Sequence, residues 1–158
     1  MPRGPKGEKR PADVIGNAVP TKKRRDGRQA QWAAQFAVAS ELCKREYEVA
    51  FTLGHNTPLA DLMVISPGKE HFLIDVKGLA SENPWLVKRK EPRPGLFYVL
   101  AFVPSGRPNR FFLLTQEDAN RLVTEHFELP SNRTKKGWDG FKFLAPAAFE
   151  DNWGLLPQ

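Results

Sequence analysis

The chain of 158 residues holds a single cysteine, Cys43, and only three histidines. One thiol excludes an intramolecular disulfide and any zinc site built on paired cysteines. Its place beside Leu42 on an expected helix predicts a buried, inert side chain. No apolar run approaches the roughly 20 residues that cross a bilayer, and the first residues carry no apolar stretch of signal-peptide type. The sequence also lacks an internal repeat, a helix-turn-helix, a zinc finger and a glycine-rich nucleotide loop. These absences predict a soluble, cytoplasmic protein with no membrane partner and no nucleotide cofactor.

The chain is long enough for one domain with a real core, and its 41% hydrophobic content agrees. Its net charge is +6, and the position of that charge matters more than its total. Residues 1–28 hold nine Lys/Arg against three acids, a surplus of six that accounts for the whole net charge. Residues 1–26, rich in Pro, Gly, Lys and Arg, are expected to form a flexible basic arm, with Lys22-Lys23-Arg24-Arg25 either a nucleic-acid contact or a solvated tail. Residues 27–158 are expected to form the folded domain. Two local basic stretches stand out there, Lys88-Arg89-Lys90-Glu91-Pro92-Arg93 and Arg133-Thr134-Lys135-Lys136.

From Gln29 to Arg45 there is no Gly or Pro, and the pattern predicts a helix. Trp32, Phe36, Val38, Ala39, Leu42 and Cys43 fall in one apolar sector with Gln35 near its middle. A buried amide without a partner costs about 1–3 kcal/mol, so Gln35 must bond to core backbone or face a polar pocket. Strands are expected at Tyr47–Phe51, Leu62–Ile65, Phe72–Ile74, Trp85–Lys88, Phe97–Phe102 and Arg110–Leu114. The continuous Phe97 run predicts a strand covered on both faces. Thr115 with Asp118 resembles a capping box opening a helix to about Glu128. A short strand or turn is expected at Trp138–Leu144 and a short helix near Pro146–Trp153. This order of elements predicts an α/β or α+β fold with a mixed central sheet flanked by helices.

The chemistry concentrates between the second and third strands. Pro58-Leu59-Ala60-Asp61 precedes one apolar run, and Asp75-Val76-Lys77 ends the next, fourteen positions on from Asp61. Ser66-Pro67-Gly68-Lys69 between the runs is turn chemistry, so the strands are expected to form a hairpin. Both aspartates then lie at the end away from the turn and converge, while residues 75 and 77 share a face. A divalent cation held by one or two carboxylates neutralises phosphoryl charge and generates a nucleophile near neutral pH. Asp61 and Asp75 are the expected ligands, with the backbone carbonyl of Val76 as a third. Lys77 is placed to hold or deprotonate the attacking water.

On these residues, Gly27 to about Thr115 resembles the PD-(D/E)xK nuclease superfamily, in its branches similar to Holliday-junction resolvases and restriction-type endonucleases. Asp61, Asp75 and Lys77 match its motif position by position. Pro58 and Asp61 do not form the literal Pro-Asp dipeptide. The family's first helix commonly supplies a Glu where Gln35 stands here, and Glu46 occupies the place of an expected Gly. The resemblance implies a restriction-endonuclease-like core, Mg²⁺ or Mn²⁺ as cofactor, DNA as partner, a homodimer, and endonucleolytic hydrolysis of phosphodiester bonds with Gln35 as an auxiliary polar group.

Lys88, Arg89, Lys90, Arg93, Lys135 and Lys136 are the expected nucleic-acid contacts. Trp85 fits either the core or the duplex, and Trp153 and Trp138 are expected as lids on the core. His55 is a further phosphate contact or an idle loop residue. Ser81 and Asn83 are expected to border the site. A rival reading keeps the nuclease fold and nucleic-acid binding without turnover, because Gln35 replaces an acid. A third makes the chain a scaffold that binds through its basic arm.

Overall fold

The structure, a computed structural model, describes residues 27–52, 60–128 and 139–158, less the side chains of 126–128. The basic arm 1–26, His55, Pro58, Arg133, Lys135, Lys136 and Trp138 lie outside the described residues.

Helix α1 spans Gly27–Cys43 and buries Ala30, Ala34, Gln35, Val38, Ala39 and Leu42. It starts two residues before the expected boundary and stops two earlier. The stop is a Schellman motif: Tyr47 N–H donates to Leu42 O at 3.2 Å and Glu46 N–H to Cys43 O at 3.1 Å. Glu46 adopts φ 67°, the left-handed conformation that favours glycine. Two expectations for this helix are corrected. Cys43 is exposed, one position past Leu42, the last buried residue of the helix. Phe36 is 59% exposed, lying between Trp32 and Phe51 with ring centroids at 5.9 and 5.2 Å.

Among the described residues five strands follow: β1 (Glu48–Phe51), β2 (Leu62–Ile65), β3 (His71–Leu79), β4 (Leu96–Phe102) and β5 (Arg110–Leu114), in spatial order β1-β2-β3-β4-β5. Only β3 and β4 are parallel, so the sheet is mixed and the fold is α+β. The hairpin of β2 and β3 is present, with Leu62 opposite Ile74 and Ile65 opposite His71. β3 runs past the expected Ile74, which places Asp75 and Lys77 inside the strand rather than at its end.

β3 outlasts β2 because β4 supports it instead, from Leu73–Leu96 to Leu79–Phe102. Parallel neighbours need a crossover, supplied here by the irregular segment 80–95. No strand forms at Trp85–Lys88. A lone bridge joins Trp85 to Phe141, and the prolines at 84, 92 and 94 limit further pairing.

Each face of the sheet has its own core. Ile74, Val76, Val99 and Ala101 pack with Ala34, Val38 and Leu42 of α1. On the opposite face Tyr98, Leu100, Phe112 and Leu114 meet Ala119, Leu122 and Val123 of helix α2 (Gln116–Glu128), with Trp85 and Phe141. β4 is thus covered on both sides, as its unbroken apolar run requires. The capping box of α2 is in place, with Thr115 N–H donating to Asp118 Oδ2 and Asp118 N–H to Thr115 Oγ1.

Trp85 belongs to the core: it is buried, donates from Nε1 to Phe143 O at 3.1 Å and stacks on that ring. Trp153 is a lid, buried against Phe111 and capped by the Arg45 guanidinium at 4.2 Å. The C-terminal region carries two short 3₁₀ turns, Ala147–Phe149 and Trp153–Leu155, in place of the expected helix. Among the described residues no helix is long and apolar enough to cross a membrane.

Candidate functional site

The site forms where β2 leaves β3. Beyond the Leu62–Ile74 pair, Asp61 N–H still donates to Ile74 O at 2.9 Å, after which no strand among the described residues pairs with this edge of β3. Buried backbone groups at such an edge must find other partners. Two side chains supply them. Val76 N–H donates to Asp61 Oδ2 at 2.8 Å, Gln31 Nε2 donates to Val76 O at 2.7 Å, and Gly78 N–H donates to Gln31 Oε1 at 3.0 Å. One carboxylate and one carboxamide thus continue the ladder that β2 abandons.

Gln31 reaches the strand because α1 lies almost on it. A Cβ at Gly78 would sit 2.7 Å from both Ala30 O and Ala34 Cβ. Ala30, Ala34 and Gly78 are therefore small for one reason, the closeness of helix to strand. One turn after Gln31, Gln35 is 9% exposed and donates from Nε2 to Asp61 Oδ1 at 2.8 Å. This is the partner that its buried position demands, and an ionised carboxylate, which only accepts, fixes the amide orientation.

Asp75 and Lys77 point to the opposite face from Val76, the face that carries α2. Asp75 is 8% exposed and lies opposite Tyr98 of β4. Its Oδ1 has the Lys77 ammonium at 2.5 Å but receives no directed hydrogen bond. The contact is one of charge rather than of hydrogen-bond geometry. Lys77 itself is 36% exposed at the side chain, open enough to meet solvent or a ligand.

Burial pushes the Asp61 carboxyl above the usual carboxylate range; the Val76 N–H opposes this, the Asp75 charge adds to the rise, and Lys77 reduces it. The two acids therefore feel each other, as the hairpin register predicts. The Tyr98 hydroxyl is pushed up to about 12, first by burial and then by Asp75, and donates to Gln116 Oε1 at 2.6 Å.

The structure thus brings together Asp61, Asp75, Val76, Lys77 and Gln35. Gln31 is an addition that sequence reasoning missed, although it precedes Gln35 by four residues and so shares its helix face. Lys88, Lys90 and Arg93 are exposed, as is Arg89, which pairs with Asp139 at 3.9 Å. Ser81 and Asn83 are exposed and bond to one another, Asn83 Nδ2 donating to Ser81 Oγ at 2.9 Å. Glu41 does not serve the site, since it pairs with Lys44 and Arg45 at 2.7 Å each.

Among the described residues no group of three or more His, Cys, Asp or Glu could hold a metal. The oxygen donors nearest this point are the two carboxylates, which act on each other by charge, and the Val76 carbonyl, which accepts from Gln31 Nε2. That set suits a hard cation such as Mg²⁺, which binds through one or two carboxylates and retains water. The hydrogen-bond-free Oδ1 of buried Asp75 and the mutual repulsion of the acids fit the same ion. Comparison with family models, curated proteins and solved structures found no match to this chain.

Proposed function

We propose that this chain is a Mg²⁺- or Mn²⁺-dependent DNA endonuclease with a restriction-endonuclease-like core. The observation that carries the reading is the meeting of Asp61 with Asp75 and Lys77 at the point where β2 leaves β3. Asp61 and Asp75 hold the cation, with the Val76 carbonyl as a further oxygen donor. When bound, the cation supplies charge neutralisation at the phosphoryl oxygens and acidifies water.

The protein's own residues prepare that site. Lys77 extends beside Asp75 toward solvent, where its ammonium can hold water and offset charge on the phosphoryl group. Gln35 orients Asp61 through Oδ1, and Val76 N–H fixes Oδ2, so the carboxylate is preorganised. Gln31 keeps the edge of β3 that β2 leaves from fraying beneath it.

The test is cleavage of supercoiled plasmid and four-way-junction DNA with Mg²⁺ or Mn²⁺. Wild type is expected to cut, with Asp75→Ala and Lys77→Ala each slower by about 100-fold or more. No cutting by wild type, or equal cutting by all three, would remove the assignment.

A second reading has its own observation. Both oxygens of Asp61 are already engaged, and Lys77 already neutralises Asp75, so the network is closed without a cation. On that reading the chain binds nucleic acid and does not cut it. Gln35→Glu separates the two: gain of metal-dependent cleavage by this variant from an inactive wild type supports the second reading.

A further inference from the structure

Segment 85–93 has almost no regular structure, yet two side chains hold its middle: Asp139 Oδ2 accepts from Arg89 N–H at 3.3 Å, and Asn120 holds Lys90 from both sides. Asn120 of α2 accepts from Lys90 N–H at 3.1 Å and donates from Nδ2 to Lys90 O at 2.7 Å. The same Oδ1 accepts from Gln116 Nε2 at 2.9 Å, and Gln116 Oε1 accepts from Tyr98, the residue opposite Asp75. A continuous row of hydrogen bonds therefore runs from the floor of the acid site to the backbone of an exposed segment.

Packing does not explain why that backbone is held. Trp85 and Val87 anchor the start of the segment in the core, but residues 88–93 are exposed. Further along, a cavity of about 310 Å³ separates Pro92–Phe97 from Thr115–Glu117, leaving the segment room to shift. Lys90's backbone groups could bond to water at little cost, so the carboxamide mainly fixes position. What it positions is charge: Lys88, Arg89, Lys90 and Arg93 against Glu91 within the segment and Asp139, which pairs with Arg89 at 3.9 Å. The Tyr98–Gln116–Asn120 row lies on the sheet face that Asp75 and Lys77 also share.

We infer that Asn120 is a positioning residue that presents Lys88 to Arg93 as a phosphate-binding edge at a set distance from Asp61, Asp75 and Lys77. The occupant is the sugar-phosphate backbone of DNA, so the inference rests on the nucleic-acid reading above. Asn120 touches no phosphate. It spares the segment the entropic cost of ordering when DNA binds.

The full chain is titrated with a fluorescent DNA duplex by anisotropy over a range of salt, comparing wild type, Asn120→Ala and the double variant Lys88→Ala/Lys90→Ala. Removing two lysines lowers the slope of log K against log salt by about 2, since each phosphate contact contributes about 0.9. Asn120→Ala weakens binding about tenfold at every salt concentration with the slope unchanged, and hydrogen exchange at the Lys90 amide accelerates. Alanine is a good helix residue, so α2 persists, and an unchanged melting temperature verifies it. Equal binding by Asn120→Ala and wild type overturns the inference while leaving the nucleic-acid reading intact. A reduced slope in Asn120→Ala also overturns it, because contacts would have been lost rather than loosened. Absence of DNA binding by wild type removes the nucleic-acid reading and this inference together.

Discussion

Gln31 and Asn120 perform the same operation at two depths. Each is a carboxamide on a helix that both donates to and accepts from backbone groups that no described strand reaches, Gln31 at the edge of Val76 and Gly78 that β2 leaves and Asn120 at Lys90. Beside Gln31 the backbone lies against the core, with Val76 fully buried and α1 in contact with the strand. Beside Asn120 it is open to solvent. The same pair of hydrogen bonds thus stabilises the fold at one place and sets a position at the other, because water replaces a lost partner only where it can enter.

The tight side breaks most readily at Gly78. Gly78→Ala places a methyl 2.7 Å from Ala30 O and Ala34 Cβ, forcing α1 off the sheet. We expect a loss of about 3 kcal/mol, measured by urea unfolding. Gln31→Ala is expected to cost about 2 kcal/mol in the same assay, because it leaves Val76 O and Gly78 N–H without partners. A much smaller value would show that water enters beneath α1 and would remove the distinction between the two amides.

Glu46→Gly tests how firmly α1 is held at its other end. Relieving φ 67° should raise stability by about 1 kcal/mol, visible as a higher denaturant midpoint with an unchanged slope. Asn120→Ala should change stability by no more than about 0.5 kcal/mol while altering exchange at Lys90.

Acidity sharpens the contrast further. Asp61's carboxyl is raised in the folded state, mainly by burial. The folded protein therefore holds that proton more tightly than the unfolded chain does. The resulting stability is present below the ordinary carboxylate range and is lost as pH rises through the raised value. Glu150, which accepts from Arg110 at 2.6 and 2.7 Å, is lowered by that partner and behaves oppositely. Its contribution is present above the ordinary range and is lost on acidification. Melting temperatures across pH should show Asp61→Asn gaining on wild type as pH rises and Glu150→Gln losing. Parallel profiles for both variants would contradict these environments.

Much of the site was legible because it depends on register. Ser66–Lys69 sets the hairpin, which brings Asp61 opposite Asp75 whatever the rest of the chain does. Gln35 was legible as a polar residue in an apolar sector, which implied a partner. Gln31 was not, because its partners are backbone groups that become free only when β2 departs, a tertiary event without a side-chain pattern. The exposed Cys43 and Phe36 were misread for a related reason. Helical periodicity assigns a sector, but where the helix stops and which neighbours reach it decide how far that sector is covered. The Trp85–Lys88 alternation reflects real burial of Trp85 and Val87, but it needed a partner strand, and Phe141 offers one bridge only.

The proposed nuclease site requires Asp61 and Asp75 together to hold a divalent cation. Binding of Mn²⁺ followed by electron paramagnetic resonance, with wild type, Asp61→Asn and Asp75→Asn in parallel, tests it most directly. The account predicts saturable binding to wild type at one site and its loss in each variant, with both variants still folded. Mn²⁺ binding that is undiminished in the variants, or absent from wild type, would contradict it.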